Sequence, residues 1–224
     1  MNDALQQIAA TAARLVVDEG MEYGAAKRKA AVELGRRGGH GGRRLELPDN
    51  EVLEDEVREH IALFHADTQP AELQALRDVA LIWMQRLAEF RPHLSGAAWR
   101  GTATRRSAVH LDLYCDDTKA AELTLVNAGV DYDVGQINRP GGSSAEPVNV
   151  LTVGHTSRAL GELVTLHLIL RDRDDQRGAL KPDARGRSWR GDLVALQRLM
   201  ATDAPPAAAA AAAAIETDRG VLRP

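Results

Sequence analysis

A polar residue alternates with apolar ones in the segment Val109-His-Leu-Asp-Leu113, and the two polar types are both metal ligands. Period-two alternation predicts a β-strand, in which successive side chains point to opposite faces. His110 and Asp112 would therefore lie side by side on one face. A His ligand is softer than Mg²⁺ prefers and suits Mn²⁺ or Zn²⁺ better. The pair is a candidate site for a divalent cation.

The residues that precede this strand form a Gly-Thr turn and a basic linker. The pattern from Gly96 onward predicts a short strand, a turn at Gly101 and Thr102, and a linker that contains Arg105 and Arg106. A glycine turn lets backbone N–H groups approach an anion closely, and a hydroxyl adds a donor. This segment is a candidate phosphate site beside the predicted metal ligands.

The order of these features resembles the motif of the nucleotidyltransferase fold, where a Gly-Ser turn precedes two acids separated by one residue. Gly101-Thr102 matches the Gly-Ser turn, and the run from Ser107 to Leu111 matches the family's Ser-Asp-Ile-Asp-Leu. Ala108 and His110 stand at the positions of the two acids, and the linker is shorter than is usual in the family. The match spans roughly residues 90 to 200.

The wider chain is also similar to a bacterial group whose members are labelled as nucleotidyltransferases. The similarity lies in the run from Tyr23 through Ala-Lys-Arg-Lys-Ala-Ala, the turn at 47–50, and Phe90-Arg91-Pro92 before Gly96.

The resemblance implies a metal-dependent transfer of a nucleotidyl group from an NTP to an unknown acceptor. Gly101 and Thr102 would seat the phosphates, and Arg105 and Arg106 would neutralise charge. Such sites are usually completed by a third acid from a neighbouring strand, for which Asp133 is the best candidate. The resemblance thus implies Mg²⁺ or Mn²⁺ as the cofactor, bound by His110, Asp112 and Asp133, with His110 and Asp112 as the catalytic pair.

Two alternatives remain open for the same residues. Because both family acids are replaced, the chain could be a catalytically degenerate relative that binds a nucleotide or a protein partner. Alternation alone would also leave His110, Asp112 and the acids of the next strand on a solvated sheet face. An ATP-dependent ligase is less favoured, since the glycine-rich run 38–42 lacks the Lys-Ser/Thr of a P-loop.

Helical periodicity governs the first ninety residues, and strand alternation follows. Apolar residues at helical spacing predict helices over 2–35, broken at Gly20, and helices that begin near Asn50 and at Leu73. Four strands are predicted near 109–113, 130–137, 148–153 and 163–170, with helices after Asp116 or Asp117 and after Asp192. The fold class is α+β, with a helical N-terminal region packed on a mixed sheet of four or five strands.

Three regions follow from this pattern: a helical region at 1–92, an α/β domain at 93–201, and an Ala/Pro-rich low-complexity tail at 202–224. The formal net charge of −4 makes nucleic acid an unlikely partner, because phosphate binding favours a basic surface. No run of apolar residues reaches the length of a membrane span, and a cytoplasmic location is expected. The helical region is the candidate surface for a homodimer or another protein partner.

Overall fold

The computed structural model describes residues 3–37, 45–137, 147–177, 179–182 and 186–203. The residues 38–44, which hold the glycine-rich run, and the tail after Asp203 lie outside the described residues. So does most of the segment 139–147, which its Pro, Gly and Ser content predicts to be a loop. None of the described helices is both long and apolar enough to cross a membrane.

The described part of the chain before residue 93 forms helices alone, and the strands follow after it, as predicted for an α+β protein. The helices are α1 (Asp3–Glu19), α2 (Tyr23–Arg37), α3 (Asn50–Phe64), α4 (Gln69–Arg86), α5 (Gly96–Arg100), α6 (Thr118–Asn127) and α7 (Leu193–Asp203). The strands are β1 (His93–Ser95), β2 (Val109–Cys115), β3 (Tyr132–Ile137), β4 (Val148–Ser157), β5 (Glu162–Asp172) and β6 (Arg190–Gly191). Short 3-10 turns cover Ala88–Phe90 and Arg173–Gln176.

The strands form one mixed sheet in the order β3-β4-β5-β2-β1-β6. Strands β2 and β5 pair in parallel, while all other neighbours are antiparallel. The sheet has six strands rather than the four or five predicted, because the two- and three-residue strands β6 and β1 are too short to show alternation. Strand β4 continues beyond its predicted end near Val153 as far as Ser157.

The apolar face of the sheet carries the larger core. Leu111, Leu113, Leu166 and Leu168 point to this face, where helices α4, α6 and α7 cover them. This covering is expected, because an apolar sheet face must bury itself against another layer. The opposite face carries the even-numbered residues of β2, which include the predicted metal ligands His110 and Asp112.

A second, separate core lies between the first three helices, with Ile8, Leu15, Leu53 and Val57 at its centre. Helix α4 does not share this core, since its buried residues join the core of the sheet. Helices α1 to α3 thus share one core, whereas α4 packs into the core of the sheet. The domain boundary at residue 92 stays a prediction.

The turn that ends α1 brings the helical region onto the sheet layer. Gly20 has a positive φ of 69°, which glycine adopts without strain. A Cβ at this position would overlap the backbone carbonyl oxygen of Arg106. The close approach delivers the next residues, Met21 and Glu22, to the start of β2.

Candidate nucleotide cleft

A cavity of about 270 Å³ lies between the helical region and the N-terminal end of β2. The helical side contributes residues from the α1–α2 connection and from α3, and the sheet side contributes β1, α5 and the start of β2. The lining includes Glu22, Tyr23, Glu54, Gly96, Arg100, Thr102, Ala108, His110 and Trp189. Its volume is near the lower end of the range of small-molecule pockets.

The predicted strand at Gly96–Arg100 is wrong. The strand of this segment is β1, which ends at Ser95, and residues from Gly96 onward form α5. Gly101 ends that helix with a φ of 80° instead of following a strand. The strand–glycine–helix junction thus lies at Ser95 and Gly96, which both line the cavity.

Thr102 is the predicted phosphate residue that reaches the cavity. Its backbone N–H donates to the Ala97 carbonyl oxygen at 3.0 Å, which fixes it against the end of α5. Its side chain is buried beside the Tyr23 hydroxyl. Burial raises the pKa of Tyr23, and the contact with Thr102 opposes that shift.

The two arginines of the predicted linker lie outside the cavity. Arg105 pairs with Glu162, with 3.0 Å between Nε and Oε1, and this exposed pair raises the pKa of the arginine. Arg106 presents its carbonyl oxygen to Gly20. Neither side chain is among those that line the cavity.

His110 lies at the cavity, held by a carboxylate that the sequence did not suggest. Its Nε2 is 3.3 Å from Oε1 of Glu22, and the hydrogen bond to His110 lowers the pKa of Glu22. The Nδ1 atom is buried against Gly96, and it has no hydrogen-bond partner among the described residues. A Cβ at Gly96 would lie 3.1 Å from that nitrogen, so the glycine permits this packing.

A second histidine lies beside the first. The rings of His110 and His167 are 5.2 Å apart between centroids, because these residues face each other in the parallel pairing of β2 with β5. His167 is half-buried, and Thr152 Oγ1 lies 3.1 Å from its Nδ1. The pKa of His167 is lowered mainly by burial and, to a smaller extent, by the charge of His110.

Asp112 is on the same face as His110, as alternation predicts, but its carboxylate is occupied. It is buried with 1% of its side chain exposed. Arg171 Nε contacts Oδ1, and Arg190 Nη1 lies 3.2 Å from Oδ2. The same Arg190 nitrogen donates to the Tyr114 hydroxyl at 2.7 Å. Asp112 is therefore the anionic centre of a structural ion-pair network.

Asp133 lies in the same row of the sheet as His110 but far from it. The register pairs it with Thr152, which pairs with His167, which pairs with His110. Three strand spacings separate the two, or about 14 Å at about 4.8 Å per strand. His110, Asp112 and Asp133 thus share a face without converging. Because Mg²⁺ and Mn²⁺ prefer several clustered oxygen ligands, these three residues do not fit the predicted site.

Glu54 is the buried acid that sequence reasoning missed. It lies in a run of acids that reads as a solvated helix face, yet its side chain is 3% exposed. Its Oε2 accepts from Arg100 Nε at 2.9 Å and lies 2.7 Å from Arg100 Nη2. Arg58 and Arg187 contact its Oε1 at 2.8 and 3.2 Å. These contacts join α3 to α5 and to the segment before β6. The spacing of apolar residues in α3 weakly indicated that Glu54 is buried, because Glu54 is next to the buried Leu53.

An aromatic surface completes the cavity on its far side. The Arg100 guanidinium lies 4.5 Å above the Trp189 ring centroid, a geometry typical of a cation–π contact. The nearby Trp99 indole donates to the Ser188 carbonyl oxygen at 2.9 Å and fixes the segment that carries Trp189. Trp189 remains 39% exposed, so one part of its ring is available at the cavity.

Comparison with known proteins gives no relative against which to align this arrangement: neither the scan of family models nor the search of curated proteins found a match.

Proposed function

We propose that the chain binds a nucleotide in the cavity beside His110 and does not catalyse metal-dependent nucleotidyl transfer. The observation that carries the proposal is the contrast between the cavity and Asp112. The cavity is lined by Thr102 and His110, which the resemblance assigns to the nucleotide and to the metal. The one acid on the His110 face of β2 is buried between two arginines instead of facing that cavity.

The lining of the cavity suits the nucleoside part of a nucleotide. The Tyr23 and Trp189 rings offer apolar surface, and stacking of a base on an aromatic ring is favourable for any base. The Glu22 carboxylate can accept hydrogen bonds from an exocyclic amino group or a ribose hydroxyl. With about 270 Å³, the cavity accepts a group of that size, and the phosphates would extend beyond it.

The replaced acids support binding over catalysis. Ala108 and His110 stand where the fold family holds two acids, and Ala108 lines the cavity without a ligand atom. Two carboxylates line the cavity: Glu22 lies near His110, and Glu54 is paired with three arginines. With Glu54 occupied in this way, Glu22 alone does not assemble the oxygen-rich shell of a Mg²⁺ site. The proposed function therefore contains no metal-dependent step.

Isothermal titration of ATP, GTP, CTP and UTP into the full chain, with EDTA and then with Mg²⁺, tests the proposal. We expect at least one nucleotide to bind with EDTA present. The variant Ala108→Leu, which fills the cavity, should weaken binding at least tenfold. The matched control is Ala62→Leu, which adds the same side chain to the exposed side of α3 and should leave the affinity unchanged.

Two results would contradict the proposal. One is the absence of binding by all four nucleotides, which would favour the interpretation of the chain as a protein-interaction module. The other is Mg²⁺- or Mn²⁺-dependent transfer of label from an α-labelled NTP to an acceptor. That result would favour the enzyme that the resemblance implies.

A further inference from the structure

Two histidines and an aspartate converge on the helical region, away from the cavity. Asp18 is in the last turn of α1, His60 is in α3, and His65 is the C-cap residue that follows α3. Asp18 Oδ1 lies 3.3 Å from His60 Nε2 and 3.1 Å from His65 Nε2. The three ligand atoms all lie within 4.8 Å of one another.

We propose that Asp18, His60 and His65 bind a zinc ion. Zinc–nitrogen and zinc–oxygen bonds are about 2.0–2.2 Å long in proteins, so neighbouring ligands of a tetrahedral ion are about 3.3 Å apart. Both distances between the aspartate oxygen and a histidine nitrogen are close to this ligand–ligand separation. Two imidazoles and one carboxylate are also a donor set that zinc binds readily, with a water as the fourth ligand.

The end of α3 explains why the two histidines can share an ion. Residues five apart on a regular helix point in different directions, whereas those three or four apart are neighbours. His65 leaves the helical conformation with a φ of −132° and a ψ of 14°. This change turns its ring back toward His60, with 6.0 Å between the ring centroids.

The accessibility of the cluster also suits an exchangeable metal. The side chains of His60, His65 and Asp18 are 17%, 31% and 38% exposed, so an ion and its water can reach them. Zinc requires unprotonated imidazoles, and its affinity at this site will fall in acid. The ion would clamp the end of α1 to α3, two residues before Gly20 and four before Glu22.

Calorimetric titration of zinc into the full chain tests this site. The chain is first treated with EDTA to remove metal and then desalted. We expect one tight zinc ion per chain, a higher melting temperature with zinc, and visible absorption typical of tetrahedral Co²⁺ when cobalt replaces it. His65→Gln should weaken zinc binding at least tenfold. His167→Gln, which disrupts the other histidine pair, should leave this binding unchanged.

A second variant, Asp18→Asn, keeps the size of the side chain. It tests the site independently if His65→Gln fails to fold. It should weaken zinc binding while the circular dichroism spectrum stays that of the wild type. Failure of the wild type to bind zinc would overturn the proposal. So would equal zinc affinity in His65→Gln and wild type, or loss of binding in His167→Gln. None of these outcomes depends on nucleotide binding.

Discussion

Asp112 Oδ2 lies 3.2 Å from Arg190 Nη1, in a pair that is buried on the aspartate side and partly exposed on the arginine side. Arg171 contacts the other carboxylate oxygen. The network joins the central strand β2 to its parallel neighbour β5 and to the edge strand β6. A residue whose position in the sequence indicates metal chemistry thus holds three strands together.

Replacement of Asp112 should therefore destabilise the fold. Asp112→Ala leaves two arginines without their buried partner, and loss of one member of a buried ion pair commonly costs about 3–5 kcal/mol. We expect the free energy of unfolding in urea to fall by about 3 kcal/mol. Asp116→Ala is the control, since the exposed pair of Asp116 with Arg173 should contribute less than about 1 kcal/mol. A stability equal to that of wild type would instead favour a metal-ligand role for Asp112.

Glu54 should be equally important for the attachment of the helical region. Glu54→Gln keeps the shape of the side chain but removes the charge that Arg58, Arg100 and Arg187 contact. We expect a loss of about 3 kcal/mol in the free energy of unfolding and faster amide hydrogen exchange in α3. Glu59→Gln, an exposed position on the same helix, should change the free energy by less than about 0.5 kcal/mol. Equal effects of the two variants would contradict this role.

The approach of Gly20 to Arg106 predicts a difference between two glycine substitutions. Gly20 and Gly129 both have positive φ, so alanine at either position should cost about 1–2 kcal/mol of backbone strain. Only Gly20→Ala also places a Cβ against a backbone carbonyl; nothing lies within 4 Å of a Cβ at Gly129. Thermal denaturation should show a clearly lower melting temperature for Gly20→Ala than for Gly129→Ala. Equal melting temperatures would mean that the contact with Arg106 opens without penalty.

The lowered pKa of His167 predicts a pH dependence of stability. Between its folded-state pKa and its ordinary value of 6.5, the unfolded chain binds more protons at this residue than the folded chain does. Stability should consequently fall as the pH decreases through that window and change no further below the folded-state pKa. Denaturation at about pH 7 and about pH 5.5 should show a larger loss for wild type than for His167→Gln. Parallel losses in the two proteins would rule out a contribution from His167.

Much of the secondary structure follows from local patterns. Helical spacing predicts α1, α2, α3 and most of α4, and alternation predicts β2 and the cores of β3, β4 and β5. The capping interactions are local as well. Asp117 accepts from the Lys119 amide at 2.9 Å, and Asp192 accepts from the Ala195 amide at 2.8 Å, as the sequence predicts for helix starts. The strands β1 and β6 escape prediction because so few residues carry no periodic signal.

The sequence by itself determined the α+β class and the common face of His110 and Asp112, because a strand's side-chain period is a local property. Only the tertiary structure decided what those side chains meet. The parallel pairing brings His167 to His110, the turn at Gly20 brings Glu22, and the sheet order separates Asp133. Arg171 and Arg190 reach Asp112 from residues 59 and 78 positions later in the chain. Such long-range partners depend on strand order and register, which no local pattern specifies.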